Sequence, residues 1–223
     1  MPRRAVTVDA VLEAAADVFA ERGFVRTKMA DVAARAGVAT GSLYKVATTK
    51  EALFAAVFVP VHERSTLPLP LLDPGREQMQ ETIAVRLLEA TRLPLHEQAL
   101  RRDRADDIAG ELLELLTERF DAVSGSWRQL AAVERTAADL PAVFEAFYND
   151  GRQAFLDSLA TYLRSRADAG QLRLAGAPDL VARFVVEAVA FWAYHRHEDP
   201  TAHVTDADAR DICVGTLQAA LLA

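Results

Sequence analysis

The sequence predicts an all-α protein, and three observations support that prediction. Alanine, leucine, glutamate and arginine dominate the composition, and these residue types favour helices. Runs of β-branched residues are scarce, which disfavours an extended sheet. Apolar residues recur at intervals of three and four, which is the spacing of one helix face. With 223 residues, of which 51% are hydrophobic and 26% charged, the chain is long enough to bury its own core.

Four helices are expected before residue 60. The first follows Thr7, a suitable N-cap, and ends at Gly23, which suits a helix C-terminus. The other three are placed at about Met29–Arg35, from Ala39 or Thr40 to Val46, and from Lys50 onward.

Prolines and glycines divide the rest of the chain. Ser65–Gly75 contains three prolines and is predicted to be a loop that joins two regions. We therefore expect one domain in residues 1–60 and another in 61–223. Helical segments in the second domain are expected at about 76–92, 104–121, 126–138, 141–169, 178–197 and 206–221.

The charge is unevenly distributed along the chain. The formal net charge of −7, taken as an average, argues against a nucleic-acid partner. However, residues 22–50 hold six basic residues and one acidic residue, a net charge of +5, and residues 61–223 carry −9. A basic patch on an acidic protein is typical of a nucleic-acid-binding module joined to a second domain.

The stretch ADVAARAGVATGSLYKV indicates a helix-turn-helix motif within this basic patch. Gly37 can adopt the positive φ that a tight turn needs. Thr40, Ser42 and Lys45 are expected to project outward, where short polar groups and a cation can contact base edges in the major groove. Gly41 adds no bulk there, so the backbone can approach a DNA duplex closely.

Three short motifs follow one another in this region, with their characteristic residues at fixed offsets. They are FAERGF followed by Thr27, AGV-x-x-G-x-LY, and Lys50-Glu51 followed by Leu53. On these residues, the stretch from Val11 to Val57 resembles the DNA-binding domain of the TetR (tetracycline-repressor) family of bacterial transcription regulators. The resemblance implies a three-helix helix-turn-helix domain that is followed by a helical domain for ligand binding and dimerisation.

The resemblance also implies roles for individual residues. Thr27, Tyr44 and Lys50 match positions that contact DNA phosphates, although Tyr44 alone would more often be a packed core residue. Lys28 stands where a small hydroxyl residue is common and is a secondary phosphate candidate. The expected DNA-binding residues are Thr27, Lys28, Thr40, Gly41, Ser42, Tyr44, Lys45 and Lys50.

Two features near this motif leave alternatives open. Val46 and Ala47 stand where family members usually carry an aromatic pair, so lighter packing between the third and fourth helices is expected. Arg3 and Arg4 are candidates for a basic arm in the minor groove, and the alternative is a terminus without a role in binding.

The acidic half of the chain resembles the family's regulatory domain more loosely. The stretch PDLVARFVVEAVAFWAYHRHEDP is similar to a late helix that pairs across a two-fold axis, which implies a homodimer that matches a palindromic DNA operator. The expected interface residues are Phe155, Leu159, Tyr162, Leu180, Phe184, Val185, Ala188, Val189 and Trp192.

The central helices are expected to hold a pocket for a small, fairly apolar effector. An aromatic stripe at helical spacing is more often core than pocket, so this alternative stays open. The candidate lining residues are Leu88, Phe120, Trp127, Leu130, Phe144, Phe147 and Tyr148.

Other classes of site and location find no support in the sequence. No metal site is expected at His195–His203, because Pro200 disfavours helical geometry across the run, and no cofactor or enzyme motif is found. The single Cys213 suits a reducing cytoplasm. The first ten residues lack the apolar run of a signal peptide, and no stretch has the roughly 18 apolar residues of a membrane span.

These observations favour a cytoplasmic, non-enzymatic transcription regulator of the TetR type. It is expected to act as a repressor that binds double-stranded DNA as a homodimer and is released by a small molecule. Two other classes remain as alternatives. One is a helical sensor whose N-terminal domain contacts another protein, and the other is a helical enzyme.

Overall fold

The computed structural model describes residues 7–222 and is all-α, as the composition and spacing predict. No described helix is both long and apolar enough to span a membrane. The α-helices of this part of the chain are α1 Val8–Arg26, α2 Met29–Arg35, α3 Thr40–Leu43, α4 Lys50–Val57, α5 Arg76–Ala90, α6 Pro94–Ala99, α7 Ile108–Gly125, α8 Trp127–Thr136, α9 Pro141–Glu145, α10 Gln153–Asp168, α11 Pro178–Ala193 and α12 Asp206–Leu221.

These residues form two compact units. The first comprises the described residues up to Glu89 together with Arg128–Tyr148, and the second comprises Ala90–Trp127 and the residues from Asn149 onward. A functional boundary near residue 60 stays a prediction. Arg3 and Arg4, the candidate basic arm, lie outside the described residues.

An aromatic cluster holds α4 against α1 in the first unit. The Phe54 ring centroid lies 4.7 Å from that of Phe19, 5.1 Å from that of Phe24 and 5.4 Å from that of Phe58, and two of these pairs are edge-on. Edge-on and tilted aromatic pairs each add about 0.5–1.5 kcal/mol beyond the burial of their area. This cluster joins α4 to α1, and the expected lighter packing between the third and fourth helices stays a prediction.

Gly23 marks the end of regular geometry in α1, as predicted. Its φ of 73° lies in the left-handed region, although helical hydrogen bonding continues as far as Arg26. A Cβ atom at this position would lie 2.8 Å from the backbone oxygen of Arg135. Both the backbone angle and the available space therefore require glycine here.

Three differences from the sequence prediction have local causes. Helix α6 was not predicted, because Pro94 was interpreted as a break, whereas it occupies the first turn of the helix. The predicted helix at 141–169 is interrupted by a π-helical turn at Ala146–Arg152. Helix α3 is short, and a tighter turn follows it, in which the Val46 N–H donates to the Leu43 carbonyl at 2.8 Å.

A buried charged network ties together the second unit. The Arg166 side chain is fully buried, and its Nε donates to Glu111 Oε1 at 2.8 Å. Its other nitrogens donate to the backbone oxygens of Ala99 and Arg102, and the Tyr162 hydroxyl donates to the same Glu111 oxygen at 3.1 Å. A buried arginine with this many partners is satisfied, and it joins α10 to α7 and to the chain after α6.

Candidate nucleic-acid interface and internal cavity

The turn between α2 and α3 has the geometry that a helix-turn-helix requires. Gly37 has a φ of 68°, and the Val38 N–H donates to the Ala33 carbonyl at 2.9 Å. Leu43 is fully buried in the core of the first unit, and Val38 packs against that core. The orientation of α3 is therefore fixed from its inner side.

The outer side of α3 is open to solvent. Thr40, Gly41, Ser42 and Lys45 are exposed, and the Tyr44 side chain is 48% exposed rather than packed in the core. A Cβ atom at Gly41 would meet no atom of the chain within 4 Å. Packing within the described residues therefore does not require glycine at position 41.

All three lysines of the protein lie in this region, at positions 28, 45 and 50. Lys28 and Lys45 are exposed and Lys50 is half-buried. Within the described part of the chain, none of the three forms an ion pair with a carboxylate. Their charges are therefore not neutralised by an ion pair with a described residue.

Two arginines of the same region, Arg22 and Arg35, are by contrast ion-paired. Arg22 Nη1 lies 2.9 Å from Asp31 Oδ2, and Arg35 Nη2 lies 2.6 Å from Glu21 Oε1. Asp31 also accepts the Lys28 N–H at 3.0 Å, and this hydrogen bond, with the charge of Arg22, lowers the pKa of the Asp31 carboxyl. The +5 charge of residues 22–50 is therefore concentrated in fewer groups than the sequence suggests.

Lys50 lies at the start of α4, where Thr49 is the N-cap and accepts the Ala52 N–H at 3.2 Å. Its Nζ lies 4.3 Å from the centroid of the Phe24 ring and donates to the Val25 backbone oxygen at 3.4 Å. The lysine charge is thus held beside the positive end of the helix dipole, and an anion at this point would be attracted by both.

The Thr27 hydroxyl is directed inward in this structure, so its expected phosphate contact stays a prediction. The residue is only 2% exposed, and its hydroxyl donates to the Gly23 backbone oxygen at 2.8 Å. The glycine that breaks α1 leaves a carbonyl group that needs a donor, and Thr27 supplies it. Thr27 therefore supports the junction of α1 and α2 from inside.

The sequence comparison identifies the family of the N-terminal region. The sequence profile of "Bacterial regulatory proteins, tetR family" matches residues 11–57, the same stretch on which the resemblance was recognised. This N-terminal region is therefore similar to the tetR family of bacterial regulatory proteins. A comparison with curated proteins finds no significant match.

Solved structures with a similar fold cover nearly the whole of this chain. The ketosteroid transcriptional regulator KstR2 of Mycobacterium tuberculosis has a TM-score of 0.59 and 17% identity, over 99% of this chain and 97% of that one. A regulator from Saccharomonospora viridis in complex with choline has a TM-score of 0.56 and 13% identity, over 97% of both chains. A TetR-like transcriptional regulator from Rhodococcus sp. RHA1 has a TM-score of 0.51 and 22% identity, over 98% and 96%.

The second unit encloses a small, mostly apolar cavity of about 20 Å³. Only three of the residues that line it, His96, Arg119 and Tyr162, have polar side chains. The full lining is Leu93, His96, Leu112, Leu115, Leu116, Arg119, Phe155, Leu159, Tyr162, Leu163, Val185 and Leu221.

The aromatic residues that were predicted to line the pocket are not part of this cavity. Phe144 and Phe147 pack against the core of the first unit, and Phe120 is buried in the second unit. Trp127 stacks on His197 with a centroid distance of 4.6 Å, and Leu88 is exposed. The remaining two predicted residues, Leu130 and Tyr148, are half-buried in the first unit. The alternative that aromatic residues at helical spacing form core applies to Phe120, Phe144 and Phe147.

The predicted interface residues fall into three groups. One group is buried among residues of its own chain and consists of Phe155, Leu159, Tyr162, Val185 and Val189. An apolar stripe does not reveal which neighbour covers it, and the dimer contact of these residues stays a prediction.

The second group remains available for a partner. Leu180 and Phe184 of α11 are 67% and 66% exposed, and Phe191, seven residues further along, is 45% exposed. The last two predicted residues, Ala188 and Trp192, are half-buried. One side of α11 therefore faces the unit's own core, and another presents large apolar side chains to solvent.

The electrostatic character of the cavity is set by one cation. Burial, together with the charge of Arg119, lowers the pKa of His96 to about 4, so the imidazole is neutral at pH 7. Its Nε2 lies 2.9 Å from the Ser158 hydroxyl. Burial, with the charge of Arg152, lowers the pKa of Arg119 to about 10, which still leaves its guanidinium charged at pH 7.

A larger concave surface lies in the first unit, between α4 and the proline-rich loop. It measures about 540 Å³, and Thr82 is the only polar side chain among its lining residues, which include Ala52, Leu71 and Pro74. It offers apolar contact but no charge or hydrogen-bonding pattern that would select one ligand. Among the described residues, no group of three or more His, Cys, Asp and Glu side chains is arranged to hold a metal ion.

Proposed function

We propose that this TetR-family protein is a repressor that binds a palindromic DNA operator as a homodimer and is released by a small-molecule effector. The supporting observation is that the three lysines of the whole chain, none of them ion-paired within the described residues, accompany the helix-turn-helix. Unpaired cations on a helix-turn-helix suit a polyanion, because binding releases the counterions of the phosphates. A chromosomal DNA partner also implies that the protein works in the cytoplasm.

In this proposal α3 enters the major groove. Thr40, Ser42 and Lys45 contact base edges, and Gly41 lets the backbone approach the duplex. Tyr44, Lys50 and Lys28 contact phosphates. These roles agree with the exposure of α3 on its outer side and with the burial of Leu43 on its inner side.

The exposed apolar side chains of α11 are proposed to pair with a second copy of the chain. Leu180, Phe184 and Phe191 follow one another at intervals of four and seven residues, which places them on one face of the helix. Large apolar groups that are grouped in this way favour association. A two-fold axis would bring two copies of α3 to the two halves of a palindrome.

The effector is proposed to bind in the second unit, at the cavity that contains Arg119. It can release the operator only if it binds more tightly to a form of the protein that binds DNA poorly. Such a form differs from the one described here at least in the volume of the cavity, because about 20 Å³ holds no more than a water molecule.

The first experiment selects the operator from sheared genomic DNA of the source bacterium and measures its affinity by fluorescence anisotropy. We expect tight binding to a fragment with an inverted repeat, weaker binding to one half-site, and affinity that falls steeply with salt. Equal affinity for the selected fragment and for random DNA of the same length would contradict the proposal.

The lysine distribution permits a second experiment. Acetylation of the free and DNA-bound protein, followed by mass spectrometry, reports the accessibility of Lys28, Lys45 and Lys50 within one chain. We expect the operator to protect Lys45 and Lys50 most strongly. Unchanged acetylation at all three lysines in the saturated complex would exclude this surface as the DNA contact.

A further inference from the structure

Two arginines of the second unit differ in their contacts: Arg166 is fully buried, and Arg119 is half-buried with a buried Nε. Arg166 donates to Glu111 and to two backbone carbonyls. Arg119 lines the cavity, and its Nε is buried with no hydrogen-bond partner. No carboxylate among residues 7–222 forms an ion pair with Arg119. The Arg166 guanidinium is thus satisfied within the chain, whereas the buried Nε of Arg119 is not.

The acidic residues near the cavity are bound to other groups. Glu118 accepts the backbone N–H groups of Leu95 and His96 at 2.9 and 3.2 Å, where it caps the start of α6. Glu187 Oε1 lies 2.6 Å from Arg152 Nη2. The Arg119 guanidinium instead stacks on the Phe155 ring, 4.3 Å from its centroid. This stacking holds the guanidinium in place and leaves its in-plane Nε–H donor unused.

An unpaired charge in apolar surroundings is costly to a folded protein, because it loses hydration without gaining a partner. Buried polar groups in native structures are nearly always hydrogen-bonded, and exceptions point to a functional role. Leucine, valine and phenylalanine form the rest of the cavity lining. The unsatisfied donor therefore belongs to a residue that lines a site whose other contacts favour an apolar molecule.

We propose that the effector is an apolar monocarboxylic acid whose carboxylate binds to the Arg119 guanidinium. A planar carboxylate matches the hydrogen-bonding edge of a guanidinium. One negative charge neutralises the single unpaired cation, whereas a phosphate would bring excess charge into an apolar site. The chain or ring of the acid then contacts the leucines of α7 and α10. This inference rests on the proposed function, since it identifies the ligand class of the effector site.

The assigned site can be tested with two acids and their neutral counterparts. Each acid is paired with an alcohol of similar apolar group: octanoate with octan-1-ol, and benzoate with benzyl alcohol. The two members of a pair differ in charge. Calorimetric titration of the full chain is expected to give a Kd for at least one acid that is about tenfold or more below that of its alcohol. Binding of the alcohols with equal or higher affinity, or failure of both acids to bind, would overturn the inference.

Arg119→Met and Arg119→Lys separate recognition from folding. The methionine variant is expected to lose the preference for the acid and to retain the binding of the alcohol, and the lysine variant is expected to retain part of the preference. Arg183→Met changes an exposed arginine of α11 and is expected to leave both affinities unchanged. If the acid binds to Arg119→Met as tightly as to the wild type, Arg119 does not hold the carboxylate.

Thermal unfolding without ligand tests a purely structural role for Arg119. If the role of Arg119 is to bind a ligand, Arg119→Met is expected to leave the unfolding temperature unchanged or to raise it. The reason is that the substitution removes an unpaired charge. Arg166→Met, which breaks a satisfied network, is expected to lower it. A comparable decrease in both variants would overturn the inference.

Operator binding distinguishes this inference from the function on which it rests. If the protein binds its operator, and an alcohol but neither acid releases the protein from the DNA, the proposed function holds and the inferred ligand class is wrong. If the acids bind through Arg119 but the protein shows no preference for any DNA fragment, the ligand class holds and the repressor function is wrong.

Discussion

The Lys50 ammonium lies over the face of the Phe24 ring, with Nζ 4.3 Å from the ring centroid. The same ring packs against Phe54, whose centroid is 5.1 Å away. The core of the first unit therefore positions a cation at the start of α4. A cation–π contact leaves the outer hydrogens of the ammonium free. Lys50 can therefore still bind a phosphate while its ammonium stays over the ring.

We predict that Lys50→Ala weakens binding to operator and random DNA by similar factors. One phosphate contact is lost in each protomer, so the slope of log K against log salt should decrease by about 2 for a dimer. Anisotropy titrations at several salt concentrations measure this slope. Arg173→Ala, an exposed arginine of the second unit, is the control and should leave it unchanged. An unaltered slope for Lys50→Ala would remove Lys50 from the DNA contact.

Two glycines of the helix-turn-helix should respond differently to alanine. Gly37 has positive φ, so Gly37→Ala should reduce the free energy of unfolding by about 1 kcal/mol, even though no atom lies within 4 Å of the new Cβ. Gly41 has no such φ and is equally open. Gly41→Ala should therefore retain or increase thermal stability, while its methyl group weakens operator binding.

Thermal unfolding and anisotropy on the same samples separate these effects. Gly176→Ala, in the second unit and with no atom within 4 Å of its Cβ, is the control for both measurements. If Gly41→Ala bound the operator with wild-type affinity, close approach of the backbone at this position would be excluded.

The exposed face of α11 should determine the oligomeric state. Phe184→Glu places a charge at a position that is 66% exposed in the isolated chain, so it should leave the fold of the protomer intact. In a dimer the same charge would be buried twice near the two-fold axis, and dissociation is expected. Light scattering after size-exclusion chromatography measures the mass. Val61→Glu, at a similarly exposed apolar residue of the first unit, should leave the mass unchanged.

The sequence predicted the geometry of the helix-turn-helix but not the cavity of the second unit, and the reason is physical. The helix-turn-helix depends on local features such as Gly37, the Thr49 cap and the spacing of Leu43, all of which are visible along the chain. The role of Thr27 depends on a carbonyl that only the break at Gly23 exposes. No pattern of hydroxyl residues reveals which acceptor will be nearby.

The cavity was missed although one signal for it is present in α7. Leu112, Leu115, Leu116 and Arg119 occur at i, i+3, i+4 and i+7, so a charged residue continues an apolar helix face. An arginine at such a position is either paired inside the protein or reserved for a ligand. Deciding between these requires knowing the contacts of Glu118 and Glu187, which lie on the same helix and on α11 and which the sequence does not specify.

His96 should make the stability of the second unit depend on pH. Burial lowers its pKa in the folded state to about 4, below the ordinary value of 6.5. Between these values the unfolded chain binds the proton more readily than the folded one. The contribution of His96 to stability is therefore complete above about pH 6.5, and it is lost as the pH falls toward 4, by at most about 1.4 kcal/mol per pH unit.

The variant His96→Gln tests this dependence, since an amide can retain a hydrogen bond to the Ser158 hydroxyl and does not titrate. Thermal unfolding from about pH 7 to about pH 5 should lower the melting temperature of the wild type more than that of the variant. The nearby Arg119 keeps its charge through this range and opposes protonation of the imidazole. Parallel pH profiles for the two proteins would show that the cavity does not hold His96 neutral. They would also weaken the inference that a single cation, Arg119, determines the charge of the cavity.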